Sequence, residues 1–224
     1  MSQATFLGEP SMKHTLSRYR HIVWDWNGTI LDDRSVCLEI INWSLKKRSL
    51  PEISLDVYLD IFEFPVINYY RKLGFDFEKE PFEVVGAEFI LAYNRRMFDC
   101  PLQKGALELL DSIKKMGIPQ TILSALNESF LIRVIEHFNL TDFFDKVWGL
   151  SDIYASGKID LGRKMLEHSG VAANETLMIG DTIHDFETAR ALGIDCVLMA
   201  GGHNSISRLV ACGVPVVKSL TEFL

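Results

Sequence analysis

The sequence predicts an α/β fold: a doubly wound parallel sheet with helices on both faces and an inserted all-helical segment. Three observations predict it. From residue 106 onward, short apolar runs alternate regularly with amphipathic stretches, the pattern of strands buried on both faces between covering helices. One further apolar run, His21-Ile22-Val23-Trp24, stands far upstream and ends at Asp25. Between these two regions lie roughly 70 residues with helix signals and hardly any strand signals, where a parallel crossover needs only about a dozen. The excess reads as an inserted helical unit.

Taken in order, residues 1–18 are polar and aperiodic, expected to be loosely ordered or held to the body only by Phe6. His21–Trp24 is a buried strand. Val36, Ile40, Ile41 and Leu45 form one apolar helical stripe, and Phe82, Val85, Phe89 and Tyr93 form another. The insertion is entered after Asp32-Asp33, which read as a helix N-cap and hinge, and is left near Cys100-Pro101. This divides the chain into a core of residues 1–33 and 101–224 and a helical cap of residues 34–100. Helix Ala106–Met116 follows, stopped by Gly117. Strand Ile118–Leu123, helix Ser129–Phe138 and strand Lys146–Gly149 come next. Helix Leu161–His168, strand Thr176–Ile179, helix Phe186–Leu192 and strand Cys196–Met199 continue the alternation. Helix Ser205–Cys212 and strand Val214–Val217 complete it.

Composition bounds the function. The 224 residues are 48% hydrophobic and 24% charged, a balance that excludes wholesale disorder. Lys+Arg number 23 against 30 Asp+Glu, for a net charge of −7, and no basic cluster exceeds Lys46-Lys47-Arg48. A nucleic-acid partner is therefore not expected. No apolar run approaches the roughly 18 residues of a membrane span, and Met1 to Met12 lack a signal-peptide pattern. Cys37, Cys100, Cys196 and Cys212 include no C-x-x-C pair and read as buried small hydrophobes in a reducing compartment. A cytoplasmic location without a membrane partner is expected; oligomeric state is not indicated.

Polar residues gather at four predicted strand ends. They are Asp25-Trp26-Asn27-Gly28-Thr29, Ser124, Gly157-Lys158, and Gly180-Asp181 with Asp185 four residues on. In open α/β sheets, ligands bind outside the carboxyl ends of the strands, so these residues are candidates for one site. Carboxylates from separate strand ends suit a hard cation with oxygen ligands, such as Mg2+. A hydroxyl and an ammonium suit a phosphoryl group, and an aspartate can be the nucleophile in phosphoryl transfer. Taken singly, each motif has a plainer reading: a turn, a cap, a solvated lysine, a helix N-terminal charge. Their joint order is what carries weight.

That ordered set, Asp25-x-Asn27-Gly28-Thr29, Ser124, Lys158 and Gly180-Asp181-x-x-x-Asp185, resembles the haloacid dehalogenase superfamily over about residues 20–218. The insertion resembles the all-helical cap of its phosphoglycolate-phosphatase-like branch, and Phe62-Glu63-Phe64-Pro65 falls where that branch has its specificity loop. The run Ala200-Gly201-Gly202-His203-Asn204-Ser205 is similar to that branch's last strand-to-helix turn. The resemblance implies a Rossmann-like core and a phosphatase acting on a small phosphorylated substrate. It implies Asp25 as nucleophile, and Mg2+ on Asp25, the Asn27 backbone carbonyl, Asp181 and, directly or through water, Asp185. It implies Ser124 and Lys158 as phosphate and charge partners, and Gly28 and Thr29 beside the phosphate. Glu63 is the expected substrate contact from the cap; His184 and His203 have no assigned role.

One position departs from the pattern. The family's phosphatases carry Asp where this chain has Asn27, and that Asp protonates the leaving oxygen and then activates water. An amide cannot shuttle a proton at neutral pH, and losing general acid–base help costs about 10²–10⁴ in rate. Three readings follow: a slow phosphatase, a phosphonate hydrolase-like C–P cleavage, or a phosphate-ligand-binding protein with little turnover. The second needs a cap lysine, with Lys46, Lys47, Lys72 and Lys79 as candidates.

Overall fold

The computed structural model describes residues 16–150 and 157–224; the expected anchor Phe6 lies outside them. Six strands form one sheet in the order β3-β2-β1-β4-β5-β6. They are β1 (His21–Trp24), β2 (Gln120–Asn127), β3 (Lys146–Leu150), β4 (Thr176–Gly180), β5 (Asp195–Met199) and β6 (Val216–Val217). Every pairing is parallel, with Val23 opposite Thr121 on one side and Met178 on the other. The alternation of strand side chains sorts the core into two layers. Ile22, Trp24, Leu177 and Ile179 join one apolar cluster, while Val23, Met178, Cys196 and Leu198 join another on the opposite face.

Four helices fill the stretch after β1: α1 (Arg34–Lys47), α2 (Leu55–Ile61), α3 (Val66–Lys72) and α4 (Phe82–Arg96). The predicted α1 stripe faces inward, with Ile40, Ile41 and Leu45 buried. Arg48 fastens the end of α1 to the α4 region through Glu80, at 2.6 and 2.9 Å, and Glu88, at 3.0 Å. The two connections to this helical segment are pinned together: Asp32 N–H donates to Pro101 O at 2.8 Å, and Leu31 bridges Leu102. The remaining helices cover the sheet. α5 (Ala106–Lys115) and α6 (Glu128–His137) pack on one face; α7 (Lys158–Ser169), α8 (Ile183–Leu192) and α9 (Ile206–Val210) pack on the other.

Several boundaries differ from the sequence expectation, three of them for a clear local reason. β2 starts at Gln120 rather than Ile118, because Ile118 N–H closes α5 onto Ile113 O and Pro119 has no N–H for the ladder. It also runs on to Asn127, through a pairing irregularity between Leu123 and Asn127. α8 starts three residues early because Thr182 and Asp185 form a reciprocal capping box. No helix of the described residues is long and apolar enough to cross a membrane. Cys37, Cys100, Cys196 and Cys212 are free thiols, the first three buried.

Gln120 ties the sheet to its covering helix. Its buried side chain accepts from Trp24 Nε1 at 3.0 Å and donates to Leu110 O at 3.0 Å. Gln120→Leu keeps the volume but leaves a buried indole N–H unpaired, so it is expected to destabilise the fold by about 1–3 kcal/mol. Urea unfolding checks this; an unchanged midpoint would show that the indole finds another acceptor.

Candidate active site

The strand order reverses between β1 and β4, and such a switch point opens a crevice at the strands' carboxyl ends. Asp25 follows β1 directly and is held there by its N–H, which donates to Ile179 O at 2.9 Å. Asp181 follows β4 directly. Asp185, one turn into α8, completes a buried trio whose carboxylate oxygens lie within 4.8 Å of one another. Lys158, the first residue of α7, reaches into this trio. Its Nζ is 2.6 Å from Asp25 Oδ1 and 2.7 Å from Asp185 Oδ1, with only 2% of the side chain exposed.

Each carboxylate is held differently. Asp185 Oδ2 accepts from Thr182 N–H at 2.9 Å, from the Thr182 hydroxyl at 2.6 Å and from Asp181 N–H at 3.2 Å. Burial pushes its carboxyl up, but Lys158 and these donors more than offset that and hold it below the ordinary range. Burial also opposes charge on Lys158, yet Asp185 and Asp25 keep the ammonium protonated well above neutrality. Asp25 is pushed up by burial, against the pull of Lys158, and further by the charges of Asp185 and Asp181. Asp181 accepts from the Thr29 hydroxyl at 2.9 Å and from His203 N–H at 2.6 Å, and forms no ion pair with Lys or Arg among the described residues. Burial pushes it up to about 7, with Asp185 adding to the rise and His203 opposing it. The turns around it are tight: a Cβ on Gly28, whose φ is +75°, or on Gly202 would fall on the Asp181 carboxylate. Three buried carboxylates, two of them sharing one ammonium, form an all-oxygen donor set that fits a hard divalent cation.

A second network lies beside the first. Asp33 occupies the N-cap position of α1, as the sequence predicts, but its side chain makes no capping bond. Its carboxylate instead accepts from Gly28 N–H at 2.9 Å, Asn27 Nδ2 at 2.8 Å and the Tyr93 hydroxyl at 2.6 Å. It also lies 3.0 Å from His203 Nε2. The Asn27 amide donates to the Tyr93 hydroxyl as well, and His203 Nδ1 is 2.8 Å from the Tyr58 hydroxyl. Burial would raise the Asp33 carboxyl, but His203 and the other donors bring it below its ordinary value. Burial disfavours charge on His203, which Asp33 reverses, raising it to about 9.

Both networks open on one cavity of about 220 Å3. Asp25, Asn27, Ser124, Lys158 and Asp185 line it. Ser124 sits at the β2 irregularity, where its hydroxyl accepts from Leu126 N–H at 3.1 Å. Gly28 and Thr29 are not on its wall: the Gly28 N–H is spent on Leu31 O and Asp33, and the Thr29 hydroxyl on Asp181. Glu63 is also elsewhere, paired with Lys72 at 2.5 Å, while its neighbours Phe62 and Phe64 turn into the cavity. Lys46, Lys47, Lys72 and Lys79 pair with Glu52, Glu88, Glu63 and Asp76 and do not line it. His184 does, stacked on Phe64 at 4.5 Å, and burial lowers it to about 4, so it is neutral. Sequence reasoning missed Asp33, Tyr58, Tyr93 and Tyr69 as wall residues; Tyr93 lay in the α4 apolar stripe, whose inward face proves to be cavity wall.

The Asp181 shift sets a pH dependence. Its carboxyl moves from 3.8 to about 7 in the folded protein, so folding takes up a proton between those values and stability falls as pH rises through them. In EDTA, the Tm of the native protein is therefore expected to fall relative to Asp181→Asn between about pH 4 and pH 7; parallel curves would contradict the assignment.

Comparison with known proteins agrees with this architecture. The haloacid dehalogenase-like hydrolase family matches residues 22–199. A 5'-nucleotidase from Pseudomonas aeruginosa is 26% identical over 89% of this chain and 91% of its own. A phosphoglycolate phosphatase from Pseudomonas savastanoi pv. phaseolicola is 27% identical over 52% of this chain, but only 43% of its own length is matched. Among solved structures, a haloacid dehalogenase-like hydrolase from Streptococcus pneumoniae superposes with a TM-score of 0.78 at 18% identity, covering 92% of this chain and 97% of its own. The match extends from β1 to the end of β5 and takes in both halves of the carboxylate cluster; the chain belongs to the haloacid dehalogenase-like hydrolase family.

Proposed function

We propose that the protein is a Mg2+-dependent phosphatase that hydrolyses a small phosphorylated metabolite through an aspartyl-phosphate on Asp25. The observation that carries this reading is the buried Lys158 ammonium bonded to Asp25 at the β1/β4 switch point, with Asp181 beside it. Relatives named for phosphate-ester hydrolysis support it. Asp25 would form a bond to phosphorus as the bond to the leaving oxygen breaks, and the departing alkoxide would take a proton from water. A water would then attack phosphorus, releasing inorganic phosphate and restoring the carboxylate. Lys158 and the Ser124 hydroxyl face the same cavity and would bind phosphoryl oxygens. Asp25, the Asn27 carbonyl and Asp181 would hold Mg2+, which when bound supplies positive charge opposite the phosphoryl group. Asp185, with its oxygens committed to Lys158 and the capping box, acts on this reading mainly by positioning Lys158. Residues 34–100 would form the cap that excludes water, in a cytoplasmic enzyme.

Asn27 makes the reaction slow rather than absent on this reading. Its amide is bonded into the Asp33–Tyr93 network and has no proton to give. With Mg2+ and acetyl phosphate or an activated aryl phosphate, native protein is expected to release phosphate slowly. Asn27→Asp is expected to gain up to about 10²–10⁴ in kcat, and Asp25→Ala to lose turnover. No release by native protein, with release by Asn27→Asp, would favour the phosphate-binding reading; activity in Asp25→Ala would refute the nucleophile.

The metal assignment has its own readout. At pH 7, saturating Mg2+ is expected to raise the Tm of the native protein, since a ligand bound only by the folded state stabilises it. The same addition should leave Asp181→Ala unmoved. An equal rise in both would place the cation elsewhere.

A further inference from the structure

The cavity beyond the Lys158 end is short of unpaired positive charge among the described residues. Its far walls come from Phe62, Phe64, Val66 and Tyr70 of the helical segment, with Phe82 and Phe89 of α4. Among the described residues, Lys158 is the only Lys or Arg that lines it, and both Asp25 and Asp185 already share that ammonium. Residues 151–156, which precede α7 in sequence, contain no Lys or Arg. Cations of the helical segment are engaged away from the cavity: Arg48 on Glu80 and Glu88, Arg96 on Glu39, Lys72 on Glu63. The one charged side chain that the α4 wall contributes is the acid Glu83. His184 stacks its ring on Phe64 at 4.5 Å.

Two polar side-chain atoms on these walls lack a hydrogen-bond partner among the described residues, the Tyr69 hydroxyl and His184 Nε2. Tyr69 lines the cavity and is 2% exposed, and its hydroxyl has no hydrogen-bond partner. A buried polar group in that state calls for a partner, and a phenol offers one neutral donor and acceptor.

We infer that the substrate is a phosphate monoester whose alcohol is uncharged, largely apolar and about the size of one ring, with no polar groups beyond neutral hydrogen-bonding ones. The inference rests on the phosphatase reading for the phosphoryl end and adds the identity of the leaving half. The space fits: an apolar cavity of about 150 Å3 accepts benzene, and this one, at about 220 Å3, must also take the phosphoryl group. His203 also lines the cavity, but its Nε2 is already paired with Asp33 at 3.0 Å. A carboxylate or second phosphate on the alcohol would therefore enter an apolar space without a free counter-cation, and an ion so placed loses its hydration without replacement. It would also approach Asp25, Asp185 and Glu83. Small carboxylated phosphates such as 2-phosphoglycolate are thus poor occupants, although relatives carry that enzyme name.

The test uses full-length native protein with Mg2+ and two matched pairs of probes. Turnover compares benzyl phosphate with 2-phosphoglycolate, whose leaving alcohols are similarly reluctant. Binding compares benzylphosphonate with phosphonoacetate by calorimetry, which needs no turnover. The inference expects the benzyl compound to lead by at least about tenfold in kcat/KM and in Kd. A smaller lead, or a preference for the carboxylated probe, overturns it while leaving the phosphatase reading intact. If neither ester is hydrolysed, the binding ratio decides alone. If neither phosphonate binds either, the phosphoryl site itself fails and the inference falls with it.

Discussion

A single buried ammonium makes this structure tolerable. Asp25, Asp181 and Asp185 arrive from the ends of β1, β4 and the first turn of α8 and crowd within 4.8 Å in a buried setting. Desolvating each such ion costs several kcal/mol, and like charges at this range add to the cost. Lys158 offsets it by lying between two of the three. Fold and site depend on the same contact: α7 is docked by it, and the strand ends of the switch point can stay close because of it. Asp181 forms no ion pair with Lys or Arg among the described residues, and burial pushes its carboxyl up.

The Asp33 network extends this constraint into the helical segment. Asp33 gathers Gly28 and Asn27 from the first loop, Tyr93 from α4 and His203 from the turn after β5. A group that opens α1 by position thus binds the core loop to the cavity wall. Asn27 belongs to this arrangement as an amide: it donates to a carboxylate and to a phenol oxygen. A carboxylate in its place would face Asp33 and would have to share a proton with it. The departure from the family pattern at Asn27 is therefore built into its surroundings, and on the proposed reading it trades rate for a fixed hydrogen-bond pattern.

Much of the architecture was legible in the sequence because it rests on local periodicity. The apolar runs at Ile22, Leu123, Ile179 and Leu198 are strands because each is buried on both faces. Asp25, Lys158, Asp181 and Asp185 were legible because short, ordered motifs follow strand ends, where topology brings them together. Tertiary contacts were harder to read. Nothing local distinguishes Asp33 from a cap residue, since its partners Tyr93 and His203 lie 60 and 170 residues away. Glu63 was placed with the substrate by its position in a loop, whereas the chain there turns Phe62 and Phe64 inward and pairs Glu63 with Lys72. The Thr182-x-x-Asp185 capping box was readable, and would have moved the start of α8 to its observed position.

The central claim is that Asp25 is the nucleophile and that the protein lacks a group at position 27 able to activate water. Hydrolysis of the phosphorylated aspartate at phosphorus should then be slow enough for it to accumulate. Acid-quenched native protein, mixed with acetyl phosphate and Mg2+ and mapped by peptide mass spectrometry, measures this directly. The account predicts one phosphoryl group on the peptide bearing Asp25, short-lived in Asn27→Asp by comparison. Phosphate release without any label at Asp25, or label on another residue, would contradict it.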